Sequence, residues 1–341
     1  MKDIAISTKA KPPKMEAVAK LAGVSMMTVS RVLNGQSNVR SETRKRVEEA
    51  VRSIGYTPNL SARSLASSRS QFIGLAYLNP SSGYLGQFLI GALASARKAG
   101  LHLILESCST VSGDWSEELI SFCKQSQLRG LILPPPLCDD HYVLEAASKI
   151  GLPTVRVSPS NHVSGFISIR IDEYLASLTI TNLLIENGHS RIGFLKGASN
   201  QEATVQRYSG FADAMQQAGL EIVDDWVKDG EFQLDKALAA GKQMLSSKHR
   251  PTAIFASNDD MAAGVYAAAH QLGLNIPDDL SVVGFDDQPI AKSLWPALTT
   301  VHQPIVEMAA RAVDLLSGAD GGDDDQIFQF EIVRRESHQK L

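Results

Sequence analysis

Polar side chains suited to binding a small polar molecule stand directly after several apolar runs in the sequence. Carboxylate, amide and guanidinium groups fit a ligand rich in hydroxyl groups, and an aromatic ring can stack on the apolar face of a sugar. Because ligands of open parallel sheets bind beyond the carboxyl ends of the strands, such side chains should converge on one cleft. The candidates for this site are Asn79, Tyr84, Arg156, Arg207, Phe232, Asn258 and Asp286, with Trp295 as an alternative to Phe232 for stacking.

Several of these residues also have a purely structural explanation. Asn258 or Asp259 could cap the helix that follows them. Asp286 could be an ordinary turn residue, and Arg207 could form a structural ion pair with a carboxylate. The residues by themselves leave these alternatives open.

Residues for catalysis are much less evident. The chain contains no G-x-G-x-x-G, no Walker A and no H-E-x-x-H sequence. The segment 188–192 (GHSRI) lacks the final glycine of a nucleophile elbow, and His189 within it is better explained as a structural turn residue. Two carboxylates at strand ends, such as Asp259 and Asp286, are too common to indicate a glycosidase. We therefore predict that the protein is not an enzyme and uses no cofactor or metal.

A second group of residues has the spacing expected of a DNA-contacting helix face. The stretch 15–35 (MEAVAKLAGVSMMTVSRVLNG) predicts two short helices joined by a turn at Gly23, with Ser25 capping the second helix. The side chains that recur three or four apart on its outer face are Met26, Met27, Ser30 and Arg31. The expected apolar side consists of Val18, Leu21, Val24, Val29 and Val32. This pattern is typical of a helix-turn-helix, although an ordinary amphipathic hairpin shares it.

The segments that follow make the DNA-binding interpretation specific. A third helix should begin at Ser41, with Val47, Ala50, Val51 and Ile54 as its core stripe. GYTPN (55–59) ends that helix, and LSARSLAS (60–67) could form one more short helix. In VAKLAGVS-x-x-TVSRVLNG, SNV-x-S-x-TR-x-x-V and GYTPN-x-x-A-R-x-L the chain closely resembles the LacI/GalR family of bacterial transcription repressors.

The resemblance implies roles for particular residues. Leu65 would lie on a hinge helix, disordered without DNA, and would insert into the minor groove at the operator centre; the alternative is that it packs on the body. Arg207, Asn258 and Asp286 match motifs at which family members contact effectors. The implied DNA contacts are Ser25, Met26, Met27, Thr28, Ser30, Arg31, Asn34, Asn59, Ala62 and Leu65.

Charge is distributed unevenly along the chain. Residues 1–70 hold 13 Lys and Arg against 5 Asp and Glu, whereas residues 71–341 hold 20 against 32. A basic head on an acidic body indicates that the head contacts a polyanion while the body stays off it. A solvated basic face is the alternative without the helical motif.

The cysteines and the N-terminal segment bear on the compartment. Cys108, Cys123 and Cys138 form no CxxC pair, which favours reduced thiols in the cytosol. The first 14 residues contain no apolar signal segment, and no run approaches the roughly 18 apolar residues that a membrane span needs. We expect a cytoplasmic, nucleoid-associated protein without membrane contact.

From Phe72 onward, short apolar runs alternate with helical stretches. The first set of predicted strands is Phe72–Leu78, His102–Glu106, Gly130–Leu133 and Thr154–Val157. The second set is Ile192–Lys196, Trp226–Val227, Ala253–Ala256 and Ser281–Phe285. Helices are predicted near 86–99, 115–127, 139–149, 173–188, 203–219, 233–247, 260–272 and 305–316. The alternation predicts an α/β fold with two parallel, doubly wound sheets in a two-lobed core resembling periplasmic binding proteins.

We expect four segments in the chain. They are a flexible basic arm (1–14), a helix-turn-helix domain (15–57), a hinge helix and linker (58–70) and an effector-binding core (71–341). The first lobe should comprise about 71–170 and 301–325, and the second about 171–300 and 326–341. The resemblance implies crossovers near 170, 299 and 326, with 326–334 as one strand of the second lobe.

These expectations combine into a transcription regulator that acts as a repressor. It should bind pseudo-palindromic operator DNA as a homodimer, with the helices near 86–99 and 115–127 in the dimer contact. A small effector, expected to be a sugar or glycoside, should bind between the lobes and control DNA affinity. The alternative is a periplasmic-type sugar receptor without a DNA-binding role, which the basic helical head and the missing signal segment disfavour.

Overall fold

The structure, a computed structural model, describes residues 13–33, 39–56, 70–78, 81–108, 115–318 and 325–341. The chain divides into two compact units, with the boundary between residues 70 and 71. The predicted arm, apart from residues 13 and 14, and nearly all of the predicted hinge segment lie outside the described residues. Asn34, Asn59, Ala62, Leu65 and Asn79 lie outside them as well.

The described part of the N-terminal unit contains three helices, α1 (Met15–Ala22), α2 (Met26–Leu33) and α3 (Ser41–Ile54). Gly23 ends α1 with a φ of +64°, the left-handed conformation that glycine adopts without strain. The Ser25 hydroxyl accepts a hydrogen bond from the backbone N–H of Thr28 at 3.2 Å. The predicted turn and cap are therefore both confirmed.

The small core of this unit differs from prediction at one position. Leu21 is 57% exposed, so its assignment to the apolar side was wrong. Val18, Ala19 and Ala22 form the face of α1 that packs on the other helices, and this leaves Leu21 to the side. The buried core residues are Val18, Ala19, Ala22, Val29, Val32, Val47, Ala50 and Tyr56.

The second unit contains two six-stranded sheets. The strands of the first sheet are β1 (Phe72–Tyr77), β2 (His102–Ser107), β3 (Gly130–Leu133), β4 (Thr154–Val157), β5 (Ile167–Ile171) and β11 (Asp325–Phe328). Their order is β11-β5-β4-β3-β1-β2, with every neighbouring pair parallel. The strands of the second sheet are β6 (Ile192–Lys196), β7 (Val227–Asp229), β8 (Ala253–Ala256), β9 (Ser281–Asp286), β10 (Thr299–His302) and β12 (Glu331–Val333). Their order is β12-β10-β9-β8-β6-β7, and the sheet is parallel except for the antiparallel pair of β10 and β12.

Helices cover both faces of the sheets, as expected for parallel strands joined by helical crossovers. They are α4 (Ser82–Ala99), α5 (Ser116–Gln125), α6 (His141–Ile150), α7 (Glu173–Glu186), α8 (Glu202–Gln217), α9 (Leu234–Leu245), α10 (Asp259–Gln271), α11 (Pro289–Ser293) and α12 (Ile305–Ser317). One apolar cluster runs across a face of both sheets, and a further cluster fills the other face of each sheet. The predicted α/β architecture, a helix-turn-helix plus a two-lobed core, is confirmed.

The chain passes between the two sheets three times within the described residues. It leaves the first sheet after β5 at Asp172, returns at 303–304 after β10, and crosses again at 329–330 between β11 and β12. The prediction of one strand over 326–334 was wrong, because β11 pairs with β5 of the first sheet while β12 pairs with β10 of the second. Strand β5 was not predicted. Every described helix falls short of the combined length and hydropathy that crossing a lipid bilayer requires.

Candidate functional site

A cleft of 530 Å³ lies between the two lobes, at the carboxyl ends of β1, β4, β6, β8 and β9. The first lobe contributes Leu78, Ser81, Tyr84, Pro135, Pro136 and Ser158 to its lining. The second lobe contributes Glu173, Ala198, Asn200, Gln201, Ala203, Arg207, Glu231, Phe232, Gln233, Asn258 and Asp286, and Gln303 lies on the second crossing. The position beyond the strand ends is the one expected for a ligand site in parallel sheets.

Arg207 on α8 is the charged centre of this cleft. Its Nε donates to Glu173 Oε2 at 2.8 Å and its Nη2 to Glu173 Oε1 at 3.3 Å, while Nη2 lies 3.6 Å from Asp286 Oδ1. Nη1 donates to the backbone oxygen of Ser257, and Cζ lies 3.7 Å from the centre of the Phe285 ring. Burial alone would lower the pKa of the guanidinium, but Glu173 and Asp286 outweigh it and raise that pKa. Arg207 thus forms a structural ion pair and also lines the cleft.

Asp286 ends β9 and is almost fully buried. Its Oδ1 accepts a hydrogen bond from Gln303 Nε2 at 2.7 Å, and its Oδ2 accepts one from Gln288 Nε2 at 2.9 Å. Burial raises the pKa of Asp286 from its ordinary 3.8 to about 6, although Arg207 and the two amides oppose the increase. Asp286 is therefore a buried cleft carboxylate rather than an ordinary turn residue.

Of the neighbouring residues Asn258 and Asp259, Asn258 both caps the following helix and lines the cleft, whereas Asp259 does neither. Asn258 Oδ1 caps α10 by accepting from the backbone N–H of Met261 at 2.9 Å, and its Nδ2 donates to the backbone oxygen of Phe232 at 3.4 Å. Asp259 is fully buried and does not line the cleft. It accepts from Thr300 Oγ1 at 2.6 Å and from the backbone N–H of Gln288 at 2.7 Å. Burial, together with the charge of Asp286, raises the pKa of Asp259 well above its ordinary value.

Phe232, rather than Trp295, is the aromatic residue on the second-lobe side of the cleft. The Phe232 ring packs directly against Gly197, since a Cβ placed on that glycine would lie 2.0 Å from the ring Cζ. Trp295 is 93% exposed and does not line the cleft, so the alternative of Trp295 as the stacking residue is not supported.

Three buried polar atoms in the cleft have no hydrogen-bond partner among the described residues. They are Tyr84 Oη, Ser158 Oγ and Gln303 Oε1. Burial and the charge of Asp286 raise the pKa of the Tyr84 phenol, so it stays protonated and can donate. Because buried polar groups are normally paired with protein or water, these atoms mark where a polar molecule would bind.

Arg156 does not belong to this site. It is fully buried and does not line the cleft, contrary to the expectation from sequence. Its Nε donates to the backbone oxygen of Cys138 and its Nη2 to Asp139 Oδ1, both at 2.6 Å, and its Nη1 donates to the backbone oxygen of Asn161 at 2.9 Å. Arg156 therefore holds the loops that follow β3 and β4 of the first sheet.

The sequence did not predict Glu173 and Gln303, which hydrogen-bond to Arg207 and Asp286, nor the other polar cleft residues Asn200, Gln201, Glu231 and Gln233. Glu173 begins α7 directly after β5, the strand that was not predicted, and Gln303 lies on the second crossing. A polar residue directly after each strand was the available signal, and it was applied only to the predicted strands.

Left-handed backbone conformations cluster around the cleft. Of the six non-glycine residues with positive φ in the described chain, five line or adjoin it: Ser158, Glu231, Phe232, Asp286 and Asp287. Such conformations are uncommon for residues with a Cβ and accumulate at binding sites, where surrounding contacts maintain them.

Contacts between the lobes border the cleft. Ser81 Oγ donates to Asp260 Oδ2 at 2.6 Å, and Gln87 Nε2 donates to the backbone oxygen of Asp287 at 3.3 Å. Gly83 approaches Gln288 so closely that a Cβ would lie 2.1 Å from Oε1. The two lobes are thus in direct polar contact beside the cleft.

The second candidate surface is the outer face of α2. Met26 and Met27 are more than half exposed, and Arg31 is exposed as well. Ser25 Oγ and Thr28 Oγ1 hydrogen-bond to each other at 3.0 Å at the start of the helix. The face therefore presents two flexible thioether side chains and one guanidinium group, which can contact thymine methyl groups and guanine.

A helix-turn-helix with this exposed face, on the same chain as a two-lobed core with a polar cleft, defines a DNA-binding transcription regulator. Residues 14–59 match the model of the bacterial regulatory proteins of the lacI family, and residues 181–337 match the periplasmic binding protein-like domain. The HTH-type transcriptional repressor PurR of Photobacterium profundum is 31% identical over 331 residues, covering 95% of this chain and 98% of PurR. The chain belongs to the LacI family of bacterial regulatory proteins.

Two solved structures are similar over nearly the whole chain. The lac repressor dimer bound to operator and the anti-inducer ONPF has a TM-score of 0.82 at 26% identity, covering 96% of this chain and 99% of that chain. The complex of the transcriptional regulator CelR with cellobiose has a TM-score of 0.70 at 27% identity, covering 95% and 99%. PurR, the lac repressor and CelR, to which this chain is similar, are thus transcription regulators rather than enzymes.

Proposed function

We propose that the protein is a dimeric repressor whose affinity for a pseudo-palindromic operator is controlled by a carbohydrate bound in the cleft. The observation that carries this proposal is the cleft itself, which both lobes line, and in which buried polar atoms of the first lobe and of the second crossing lack partners among the described residues. PurR is a repressor, the lac repressor structure is a dimer on operator, and CelR holds cellobiose. A DNA-binding role of this kind implies action in the cytoplasm, at the nucleoid.

The effector contacts are assigned from both sides of the cleft. Arg207, Asn258 and Asp286 would bind hydroxyl groups from the second lobe, and Phe232 would stack on the sugar ring. Tyr84 would donate from the first lobe, and Asn79, which lies outside the described residues, is assigned to the same site from the sequence. The support is that the five described residues among these line one cleft and include a guanidinium, a carboxylate and two aromatic rings.

Control of DNA binding requires that the effector favour one arrangement of the lobes, because a ligand with equal affinity for both arrangements shifts nothing. Ser81 and Asp260 form one contact that a lobe rotation would change, and Gln87 with Asp287 forms another. Such a rotation would alter the spacing of the two hinge segments in a dimer, including Leu65 at the operator centre.

Dimerisation is assigned to the first lobe. Ile90 and Leu93 on α4 are 64% and 50% exposed, and adjacent apolar side chains at the surface commonly mark a protein contact. Two heads are needed because a single module has too little surface for strong specific binding.

The DNA-binding part of the proposal is tested with duplexes selected by the full-length protein from a random pool. Arg31→Ala should weaken binding by about 1–3 kcal/mol and relax the preference at one base pair, because Arg31 would contact a guanine edge. Arg52→Ala, an equal change on the exposed side of α3, is the matched control and should leave that preference intact. Fluorescence anisotropy across single-base operator variants gives the result. A uniform loss over all sequences for Arg31→Ala would assign it to phosphate and refute the base contact.

A further inference from the structure

The charge of the cleft restricts its ligand further. We propose that the cleft accepts uncharged, hydroxyl-rich carbohydrates and rejects their phosphorylated counterparts, with Glu173 as the residue that enforces this selection. The inference rests on the proposed function, since it concerns the ligand of the same cleft.

Carboxylates outnumber cations among the described residues that line the cleft. Among the described residues that line the cleft, Arg207 is the only cation, and the carboxylates are Glu173, Glu231 and Asp286. Glu173 engages Arg207 through two hydrogen bonds, and Asp286 lies 3.6 Å from the same guanidinium. Glu231 is paired with Lys236, which does not line the cleft. A phosphate group entering the cleft would therefore meet an already neutralised cation and an excess of carboxylate.

The unused hydrogen-bonding capacity of the cleft also favours a ligand that donates hydrogen bonds. Gln303 donates its amide N–H to Asp286 and leaves Oε1 as a buried acceptor without a partner among the described residues. Acceptor atoms such as this one, together with the carboxylates, require donors from the ligand. Sugar hydroxyl groups supply donors, whereas a phosphate dianion supplies acceptors alone. Tyr84 Oη and Ser158 Oγ, the other buried cleft atoms without partners among the described residues, fit hydroxyl groups in either role.

Helix N-termini attract anions and could by themselves favour a phosphate group. Among the described residues, five helices begin beside the cleft. Four of them carry a carboxylate in the first turn: Glu173 on α7, Glu202 on α8, Asp235 on α9 and Asp260 on α10. The first turn of α4 contains no acidic residue, but its N-cap residue Ser81 donates a hydrogen bond to Asp260. These fixed carboxylates offset the helix dipoles where a phosphate would otherwise bind.

Removing the charge of Glu173 should allow phosphorylated sugars to bind in the cleft. In Glu173→Gln, the shape of the side chain is retained while Arg207 loses its nearest counter-charge. Two unit charges a few ångströms apart near a protein surface interact strongly enough for the affinity for a phosphorylated sugar to rise about tenfold or more. Asp286→Asn removes the more distant counter-charge and should act in the same direction with smaller effect. Glu186→Gln, the same change at the exposed end of α7, is the matched control.

Calorimetric titration of the full-length protein with glucose, glucose 6-phosphate, ribose and ribose 5-phosphate, at constant ionic strength, tests the inference. We expect wild type and Glu186→Gln to show no cleft binding of either phosphorylated sugar, and Glu173→Gln to bind at least one of them. Arg207→Lys serves to assign any observed binding to the cleft rather than to the basic head.

Two results would overturn the inference. One is binding of a phosphorylated sugar by wild type that Arg207→Lys abolishes. The other is an absence of any gain in both Glu173→Gln and Asp286→Asn, since the carboxylates would then not be what excludes the anion. Neither result removes the regulator: operator release by a phosphorylated sugar would refute only the charge selection. Operator binding that responds to no sugar, neutral or phosphorylated, would instead contradict the proposed function.

Discussion

Replacing Asp286 with asparagine should stabilise the core at neutral pH, although the change removes a charged group from the cleft. Asp286 is 5% exposed, and its pKa is raised from 3.8 to about 6. Each pKa unit corresponds to about 1.4 kcal/mol between the two protonation states. The ionised carboxylate thus costs on the order of 3 kcal/mol of folding free energy above pH 6, and asparagine never ionises.

The sign of the pH dependence follows from the direction of the shift. A carboxyl group whose pKa is raised in the folded state binds its proton more tightly there than in the unfolded chain. The free energy of unfolding of the wild type therefore falls as the pH rises from about 4 to about 6, because Asp286 loses its proton over this range. Asp286→Asn should gain most above pH 6 and nothing below pH 4.

The local hydrogen bonds can accommodate the new amide. Gln288 Nε2 can keep donating to the side-chain oxygen of the asparagine, as it does to Asp286 Oδ2. Gln303 can rotate its amide so that Oε1, which lacks a partner among the described residues, accepts from the new Nδ2. Arg207 keeps its two hydrogen bonds to Glu173. The substitution therefore buries no charge and leaves the guanidinium paired.

Urea unfolding at pH 4.5 to 8, followed by tryptophan fluorescence, measures the effect. Trp115, Trp226 and Trp295 are the three tryptophans of the chain and all lie in the core unit, so the signal reports on core unfolding. Asp224→Asn, the same chemical change at an exposed position, is the matched control. A variant that was less stable than wild type at pH 7.5, or a gain that did not shrink towards pH 4.5, would refute the reasoning.

Two further substitutions separate the ligand site from the framework. Gly197→Ala should displace the Phe232 ring, which would lie 2.0 Å from the new methyl group, and so weaken the response to effector while operator binding without effector is retained. Anisotropy titrations with and without effector decide this, and an unchanged response would contradict the stacking role. Arg156→Met should lower the free energy of unfolding by about 3 kcal/mol, because Asp139 loses its buried partner. Urea titration measures it, and a stability equal to that of wild type would show that the ion pair is dispensable.

The regular elements were predictable because their apolar periodicity is strong. The strands Gly130–Leu133, Thr154–Val157 and Ala253–Ala256 were predicted with the observed bounds, and every residue in them is buried. Strand β5 (ISIRI) was missed because it has only five residues and its apolar residues alternate with Ser168 and Arg170, whereas continuous apolar runs were used to predict the strands. The segment 326–334 was read as one strand because its sequence contains no signal that its two halves pair with different sheets.

The site residues that stand at strand ends could be predicted from the sequence. The pairings between residues far apart in the sequence could not. Asn258 and Asp286 were found because each stands at the end of an apolar run. The pairing of Arg207 with Glu173 joins residues 34 positions apart on different helices, which local spacing does not encode. The prediction that Arg156 lines the cleft was wrong, because the direction of a side chain near the end of a strand depends on the backbone conformation of the residues that follow. The left-handed φ of +50° at Ser158 ends the strand, and Ser158 lines the cleft while Arg156 points to Asp139.

The same few residues connect the ligand cleft with the segments about which the lobes would move. Gln303 lies on the second crossing between the sheets, yet it lines the cleft and hydrogen-bonds Asp286, and its buried Oε1 lacks a partner among the described residues. The adjacent Asp287 accepts from Arg335 Nη2 at 2.5 Å, and its backbone oxygen accepts from Gln87 of the first lobe. A ligand that donates to Gln303 would therefore act directly on a crossing segment and, through Asp286 and Asp287, on a contact between the lobes. Coupling of this kind needs no long pathway, because the binding site and the hinge share side chains.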